Sequence, residues 1–340
     1  MRGSRNFLTD SFTVQDTSFP ERIASLPKAE LHLHLEGSIR TAIASALAAR
    51  HGVELAEEEV RRRYAYTNFA GFLDAFKWVT SFVREPGDFA LIAADLAEQL
   101  LSQRVVYAEV TLSVGVMFLR QQQPEANFAA IVAATEPFEK RGLRLNWIFD
   151  AVRQFGAEAA MRVVQAARRC ASRRIVAFGI GGDELSLATK EFRGVYERAE
   201  EYGFHRLMHA GEIGGPEKIR EAIEILGVER IGHGIAAIHD AALMELLAER
   251  GIPLEICPGS NLRTGALGVQ LGNDAATMEQ HPLAEIVRRG VAVTLSTDDP
   301  AMFHTSLEEE YQNAWRMGLT EEEMAGVAEN GFRYAFGKIE

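Results

Sequence analysis

Short apolar, β-branched runs recur along the 340-residue chain, each followed by a polar loop and then a longer stretch with helical spacing. The runs predict strands at Glu30–Leu35, Val105–Leu112, Arg144–Ala151, Ile175–Gly179, Arg206–His209, Arg230–Gly232, Pro253–Ile256 and Val291–Ser296. Helical spacing falls between them, at 39–51, 88–103, 157–172, 186–202, 216–226, 240–249 and 282–289. Strands that alternate with helices pair in parallel through right-handed crossovers. Eight such units point to a closed barrel rather than an open sheet. The expected fold is therefore α/β, a single (β/α)8 TIM barrel with a helical insertion between strands 1 and 2. That insertion, Phe69–Phe82, carries Phe69, Phe72, Leu73, Phe76 and Val79 at helical spacing. Such a stripe usually packs a core, but at the catalytic end of a barrel it can also wall a ligand pocket.

Composition narrows the class. Hydrophobic residues make up 47% and charged residues 25%, ordinary values for a globular chain with a large core. The net charge of −12 disfavours a nucleic-acid partner, and no local basic patch offsets it; Arg61-Arg62-Arg63 follows Glu57-Glu58-Glu59 and reads as a solvated helix face. No run of 18 apolar residues predicts a membrane span. Cys170 and Cys257 make no disulfide framework, and Cys257 reads as a packing residue. With no signal-length apolar segment in residues 1–20, a cytoplasmic location is expected. Residues 1–20 form an N-terminal extension and 21–340 the barrel domain, with no linker or repeat to divide it.

Polar residues gather where barrel chemistry is carried out, at the C-terminal ends of the predicted strands. His32 and His34 lie two apart on the first strand, so their imidazoles share a face. The fifth strand ends in His209-Ala210-Gly211-Glu212, the sixth in His233-Gly234, and the eighth in Thr297-Asp298-Asp299-Pro300. Alone, His209 reads as a satisfied core histidine and Asp298-Asp299-Pro300 as a turn. Three of these imidazoles with one of the carboxylates make a plausible ligand set that leaves room for water on a catalytic zinc. Gly179-Ile180-Gly181-Gly182 lacks the spacing and the lysine of a phosphate loop. His51, His205, His239 and His281 have no motif around them and read as surface or capping residues; His304 follows the eighth strand, within reach of the site.

The run Leu26-Pro27-Lys28-Ala29-Glu30-Leu31-His32-Leu33-His34-Leu35-Glu36-Gly37 resembles the adenosine deaminase family of zinc-dependent amidohydrolases. So do Gly182-Asp183-Glu184, His209-Ala210-Gly211-Glu212, Gly232-His233-Gly234, Cys257-Pro258-Gly259-Ser260-Asn261 and Ser296-Thr297-Asp298-Asp299-Pro300, in family order over nearly the whole chain. The resemblance implies one Zn2+ per chain held by His32, His34, His209 and Asp298, with Glu212 and His233 catalytic. Glu212 would protonate purine N1, and His233 would stand beside the attacking water. His34, Glu36, Gly182 and Asp299 would contact substrate, Asp299 at N7 and the Gly182 N–H at N3. Where the family's adenosine deaminases usually carry Asp, this chain has Glu36, near the ribose 5′ end.

The chemistry asks for the same groups. Displacing an aromatic amine with water needs a water acidified from about 15.7 to about 7 by zinc and a carboxylic acid kept neutral by enclosure. Deaminases of the cytidine type use cysteine ligands, which this chain does not supply in pairs. Two-metal amidohydrolases bridge with a lysine at strand four, where Ala177-Phe178-Gly179 stands instead. The expected substrate is a purine nucleoside, adenosine or 2′-deoxyadenosine. Aminodeoxyfutalosine and adenine are the alternatives within the family, and an inactive binding module is the alternative outside it. The 69–84 segment, with Trp78, Phe82, Lys77 and Arg84, is expected to read the group attached to the purine.

Overall fold

Strand runs buried on both faces have one stable arrangement, a parallel barrel with its helices outside. In the computed structural model, which describes residues 23, 25–170, 172 and 174–337, eight parallel strands lie in chain order: β1 (Lys28–His34), β2 (Val105–Leu112), β3 (Arg144–Val152), β4 (Ile175–Gly181), β5 (His205–Ala210), β6 (Arg230–His233), β7 (Leu254–Ile256) and β8 (Val293–Leu295). The expected extension, residues 1–20, lies outside the described residues. Every predicted strand is present, with ends displaced by two residues at most.

Side chains and backbone beyond the regular ladder close the barrel between β8 and β1. Ser296 Oγ accepts from the backbone N–H of His32 at 3.1 Å. Asp298 N donates to His32 O at 3.0 Å, and His34 N donates to Asp298 O at 2.8 Å. Buried Glu30 accepts from Thr297 N at 2.9 Å and from Thr297 Oγ1 at 2.6 Å. The ends of β1 and β8 are thus pinned together, which brings His32 and His34 against Asp298. Gly37 completes the contact, because a Cβ there would lie 1.8 Å from Asp299 Oδ1. No side chain can replace it without moving the aspartate.

The β1–β2 connection is larger than the stripe at 69–82 predicts. It holds helices Thr41–Arg50, Glu57–Arg63, Phe69–Val79 and Pro86–Ser102. Asn68 caps the third by accepting from Gly71 N at 2.9 Å. Its Phe72 packs on Phe303, with ring centroids 5.0 Å apart, and Tyr66 donates to Met302 O at 2.6 Å. The insertion is therefore docked over the β8 end of the barrel. Among the described residues, no helix is long and apolar enough to cross a membrane.

Candidate active site

Five polar side chains from four strand ends meet at the C-terminal mouth. The His32 ring centroid lies 4.6 Å from that of His209, 5.0 Å from that of His233 and 5.5 Å from that of His34. Donor atoms of His32, His209, His233 and Asp298 all fall within 4.8 Å of one another. His34 joins from the other side, its Nε2 3.4 Å from Asp298 Oδ1. The tightest group thus contains His233 where the expected ligand set has His34. Two of the residues at these ends, His233 (φ 61°) and Asp298 (φ 63°), hold a left-handed backbone that only local constraint sustains.

Whether a cation fits is answered by one atom. Nε2 of His32 is buried and has no hydrogen-bond partner, a costly state for an atom that faces three other donor groups. Its Nδ1 lies 2.7 Å from Glu255 Oε2, which fixes the tautomer that turns a lone pair toward the cluster. Burial lowers His34 to about 4 and drives His209 well below the usual imidazole range, so both are neutral and able to ligate. Asp298 is buried yet stays ionised, because the imidazoles around it outweigh the cost of burial. Ser260 Oγ donates to its Oδ2 at 2.7 Å. This buried anion thus stands beside the neutral imidazoles of His34 and His209. Against the cost of burial, bonds to Asp298 and Glu255 draw His32 up to about 10, so a positive charge is favoured at this point. Such a donor set suits a divalent metal.

The two other carboxyl groups behave in the opposite way. Burial, helped by Asp298 and Glu184, pushes Glu212 up to about 8. Asp299 lies well above the carboxylate range through burial and the Asp298 charge beside it, and its Oδ1 has no partner. Both can therefore donate a hydrogen bond at neutral pH. Glu212 is held through its backbone: Glu184 accepts from the N–H groups of Gly211 (2.5 Å), Glu212 (3.2 Å), Ile213 (3.0 Å) and Gly214 (2.9 Å). Gln270 Nε2 donates to Glu212 O at 2.9 Å from the far side. The sequence motif containing Glu184 was legible; its task as an anchor for the Glu212 turn was not.

His233 Nε2 lies 3.7 Å from Glu212 Oε2, and its other nitrogen is fixed by a chain of buried groups. Leu283 N donates to His281 Nδ1 at 3.1 Å, and a backbone N–H has no alternative role. His281 Nε2 must then carry its proton, which it gives to Asn261 Oδ1 at 3.1 Å. The amide nitrogen of Asn261 consequently donates to His233 Nδ1 at 3.1 Å. Burial keeps both histidines neutral, at about 3 each. Neutral His233 therefore bears its proton on Nε2, toward the metal cluster. His281 is not a surface residue: it accepts from the first N–H of the helix Leu283–Arg288 and is buried behind the site, where only packing across three elements reveals its task.

The cavity over this cluster has a volume of about 290 Å³. Its floor includes His34, His209, Glu212, His233, Asp298, Asp299 and Gly182; Phe69, Phe72, Leu73 and Phe76 form the wall. Of the residues expected there, Trp78, Phe82 and Arg84 do not line it. Trp78 carries the Arg63 guanidinium 5.0 Å from its ring, and Arg84 donates to Ser81 O on the outer side. The cations of the wall are Lys77 and Arg120. Arg120 donates to Lys77 O at 3.2 Å and to Thr80 Oγ1 at 2.9 Å, so it clasps the end of the insertion helix. Glu36 lies just behind the wall, accepting from Ser113 N at 3.1 Å, and burial raises it to about 7. His304 is exposed, its Nε2 3.4 Å from Tyr64 O, and does not reach the cavity. Cys257 is buried and its thiol is pushed up by burial, as a packing residue should be. Asp150, which no motif announces, lines the cavity with an unpartnered Oδ1, and burial raises it to about 8.

Three comparisons fit this geometry. The sequence model of the family described as adenosine deaminase matches residues 27–340. The chain is 39% identical to an aminodeoxyfutalosine deaminase of Streptomyces coelicolor, over 92% of this chain and 81% of that protein. It is 31% identical to an adenine deaminase of Rhizobium meliloti, over 92% of this chain and 95% of that protein. Among solved structures, the adenine deaminase from Arthrobacter aurescens superposes with a TM-score of 0.85 at 29% identity, covering 92% of this chain and 94% of that one.

Proposed function

The chain belongs to the adenosine deaminase family and is a deaminase, and we propose that its substrate is an adenine nucleoside extended at the 5′ end by an aromatic carboxylate, as in aminodeoxyfutalosine. One observation carries this reading. A wall of Phe69, Phe72, Leu73 and Phe76 with Lys77 and Arg120 in it shares one cavity with Glu212, His233 and the metal cluster. Adenosine would leave much of that apolar and cationic wall without a partner, and free adenine would leave more. Similarity to the Streptomyces coelicolor aminodeoxyfutalosine deaminase supports the same choice.

The metal reading is zinc, one per chain, held by His32, His34, His209 and Asp298. We leave His233 out of that set because an Nε2 that keeps its proton has no lone pair to offer, which the Asn261 bond to Nδ1 supports. When bound, the metal supplies Lewis acidity, which brings the pKa of a water from about 15.7 to about 7. The rest falls to the side chains. Neutral Glu212 donates its proton toward N1 of the purine and makes C6 electrophilic. His233 holds its Nε2 proton toward the water that attacks C6, orienting it. Asp299, also protonated, donates toward N7, and Gly182 on the floor can present its N–H to N3. Phe69 and Phe72 cover the ring and exclude bulk water, which strengthens each of these bonds. As the C6–O bond forms and the C6–N bond breaks, one proton of the water goes to the amino nitrogen, which leaves as ammonia, and the other restores the Glu212 acid.

The test is a panel of aminodeoxyfutalosine, adenosine, 2′-deoxyadenosine and adenine compared by kcat/KM on the zinc-loaded enzyme. The extended nucleoside is expected to lead. Adenosine in first place returns the simpler nucleoside reading, and adenine in first place rejects a nucleoside altogether.

A further inference from the structure

The interior of such a barrel is ordinarily filled by layers of branched apolar side chains. Below the metal cluster this one carries a column of charge instead. Glu255 Oε2 lies 2.7 Å from His32 Nδ1, and its Oε1 lies 2.5 Å from Arg230 Nε. Arg230 Nη2 in turn lies 2.7 Å from Glu109 Oε2. All four side chains are buried, at 1% exposure or less. Two carboxylates and a guanidinium out of water are stable only if every member is paired.

The lower end of the column is paired by the last described stretch of chain. Glu109 Oε1 accepts from the backbone N–H of Phe336 at 2.6 Å and from that of Gly337 at 3.2 Å. Tyr107 OH donates to the same oxygen at 2.5 Å and accepts from Gly337 N at 2.9 Å. Arg230 Nη1 donates to Tyr334 O at 2.9 Å, and the Phe336 ring lies 3.6 Å beneath its guanidinium carbon. The other face of that region stacks Phe336 on His205, centroids 4.3 Å apart and planes within 4°. The fit admits no side chain at 337, where a Cβ would stand 1.9 Å from Asn146 Nδ2. The segment from Tyr334 to Gly337 is thus a plug shaped to the N-terminal mouth of the barrel.

We infer that this plug and Arg230 are positioning elements for the metal site: they hold Glu255 in place, Glu255 orients His32, and His32 presents Nε2 to the metal. The inference rests on His32 being a metal ligand. Among the described residues, Arg230 is the side chain that holds the Glu255 carboxylate from below, and the plug seats Arg230, so loss of the plug frees a metal-facing imidazole from the opposite end of the barrel.

 

The experiment measures zinc Kd by chelator competition, and Tm without metal, for four chains: wild type, Arg230→Met, a chain ended at Ala335, and the destabilising control Val163→Ala, at a buried position of the helix Gly156–Cys170 outside the column. Arg230→Met and the shortened chain are expected to raise zinc Kd by about 10- to 100-fold, the usual effect of losing a group that orients a ligand. Val163→Ala should lower Tm and leave Kd unchanged, since packing loss alone does not disorient His32. Should Arg230→Met not fold, the chain ended at Ala335, which keeps all eight strands, decides. Wild-type zinc affinity in a folded Arg230→Met or shortened chain overturns the inference while leaving His32 as a ligand. A wild-type chain that binds no zinc overturns the ligand reading and the inference with it.

Discussion

Asn261 donates its amide proton to Nδ1 of His233 across 3.1 Å, and that single bond decides which His233 nitrogen faces the substrate side with a proton. The direction is set remotely, by the backbone N–H of Leu283 acting through His281. A bond of this kind separates a ligand from a catalytic imidazole where distance alone does not, because His233 stands as near the cluster as any ligand does.

Substituting the relay should therefore cost turnover and spare the metal. His281→Phe removes the donor to Asn261 and lets the amide flip, so that His233 samples the wrong tautomer. We expect kcat to fall by about 10- to 100-fold, with one zinc still bound per chain. Unchanged kcat in a folded, zinc-loaded variant would show that the tautomer does not matter.

Glu212→Gln tests the N1 acid. The amide keeps the shape and can still accept from Thr264 Oγ1, which approaches Glu212 Oε1 at 3.4 Å, but it cannot deliver a proton. The loss in kcat should reach or exceed the range of about 10²- to 10⁴-fold typical of acid–base groups. Metal content, read by elemental analysis, should not change. Near wild-type turnover with the metal in place would remove Glu212 from this role.

Activity should also fall on the alkaline side. Glu212 works as an acid only while protonated, and burial, with Asp298 and Glu184 nearby, raises its pKa to about 8. The neutral form is then fully present below that value and is lost as pH rises through it, so kcat should decline above about pH 8. A profile still rising past pH 9 would contradict the assignment, and the Glu212→Gln variant should lose this limb.

The strands were legible because their runs are buried on both faces and punctuated by turns, and β2 has the predicted bounds, Val105–Leu112. The helix Glu57–Arg63 was read only as a charged face, since Val60 is its sole buried residue and leaves no periodic stripe. Pro124–Glu139 was missed for the reverse reason: its alanine-rich surface, with Pro137 inside it, gives little contrast between faces. In the site, motifs placed His32, His34, His209, Glu212, His233, Asp298 and Asp299 at one barrel mouth. They did not reveal His281 or Arg230, whose tasks arise from contacts 20 to 104 residues away in sequence. Arg84 was expected in the wall for its position after the aromatic stripe. Arg120, at the C-terminal end of the short helix Val114–Leu119 that follows β2, fills that place instead, because the insertion folds back over the barrel and meets it there.

The metal prediction is stoichiometric. Three imidazoles and one carboxylate, with Ala177, Phe178 and Gly179 on β4 in place of a bridging lysine, make a site for one divalent ion. Elemental analysis of active protein should give one zinc per chain, and a chelator should abolish turnover until zinc is restored. Two metals per active chain, or full activity after their complete removal, would be incompatible with this site. His209→Ala should lose the metal, whereas His233→Ala should keep it and lose kcat.

Substrate choice rests on the wall, so the wall supplies the last prediction. Lys77 and Arg120 are the lysine and arginine that line the cavity, and both stand beside the apolar stripe rather than among the base-reading groups. A substrate carboxylate that reaches them is desolvated by Phe69, Phe72 and Phe76, and it must be paired to be tolerated there. Replacing Lys77 by Met removes one partner without touching the purine site. An unpaired, partly desolvated polar group costs about 1–3 kcal/mol, which corresponds to roughly 5- to 150-fold in kcat/KM. The loss should fall on aminodeoxyfutalosine and leave adenosine nearly unaffected, because adenosine has no carboxylate to strand. Arg120→Met should behave alike, with a further loss on both substrates, since Arg120 also clasps the insertion helix through Lys77 O and Thr80 Oγ1. Equal losses on both substrates in Lys77→Met would mean that the cation does not read a carboxylate, and the extended-nucleoside reading would fall with it.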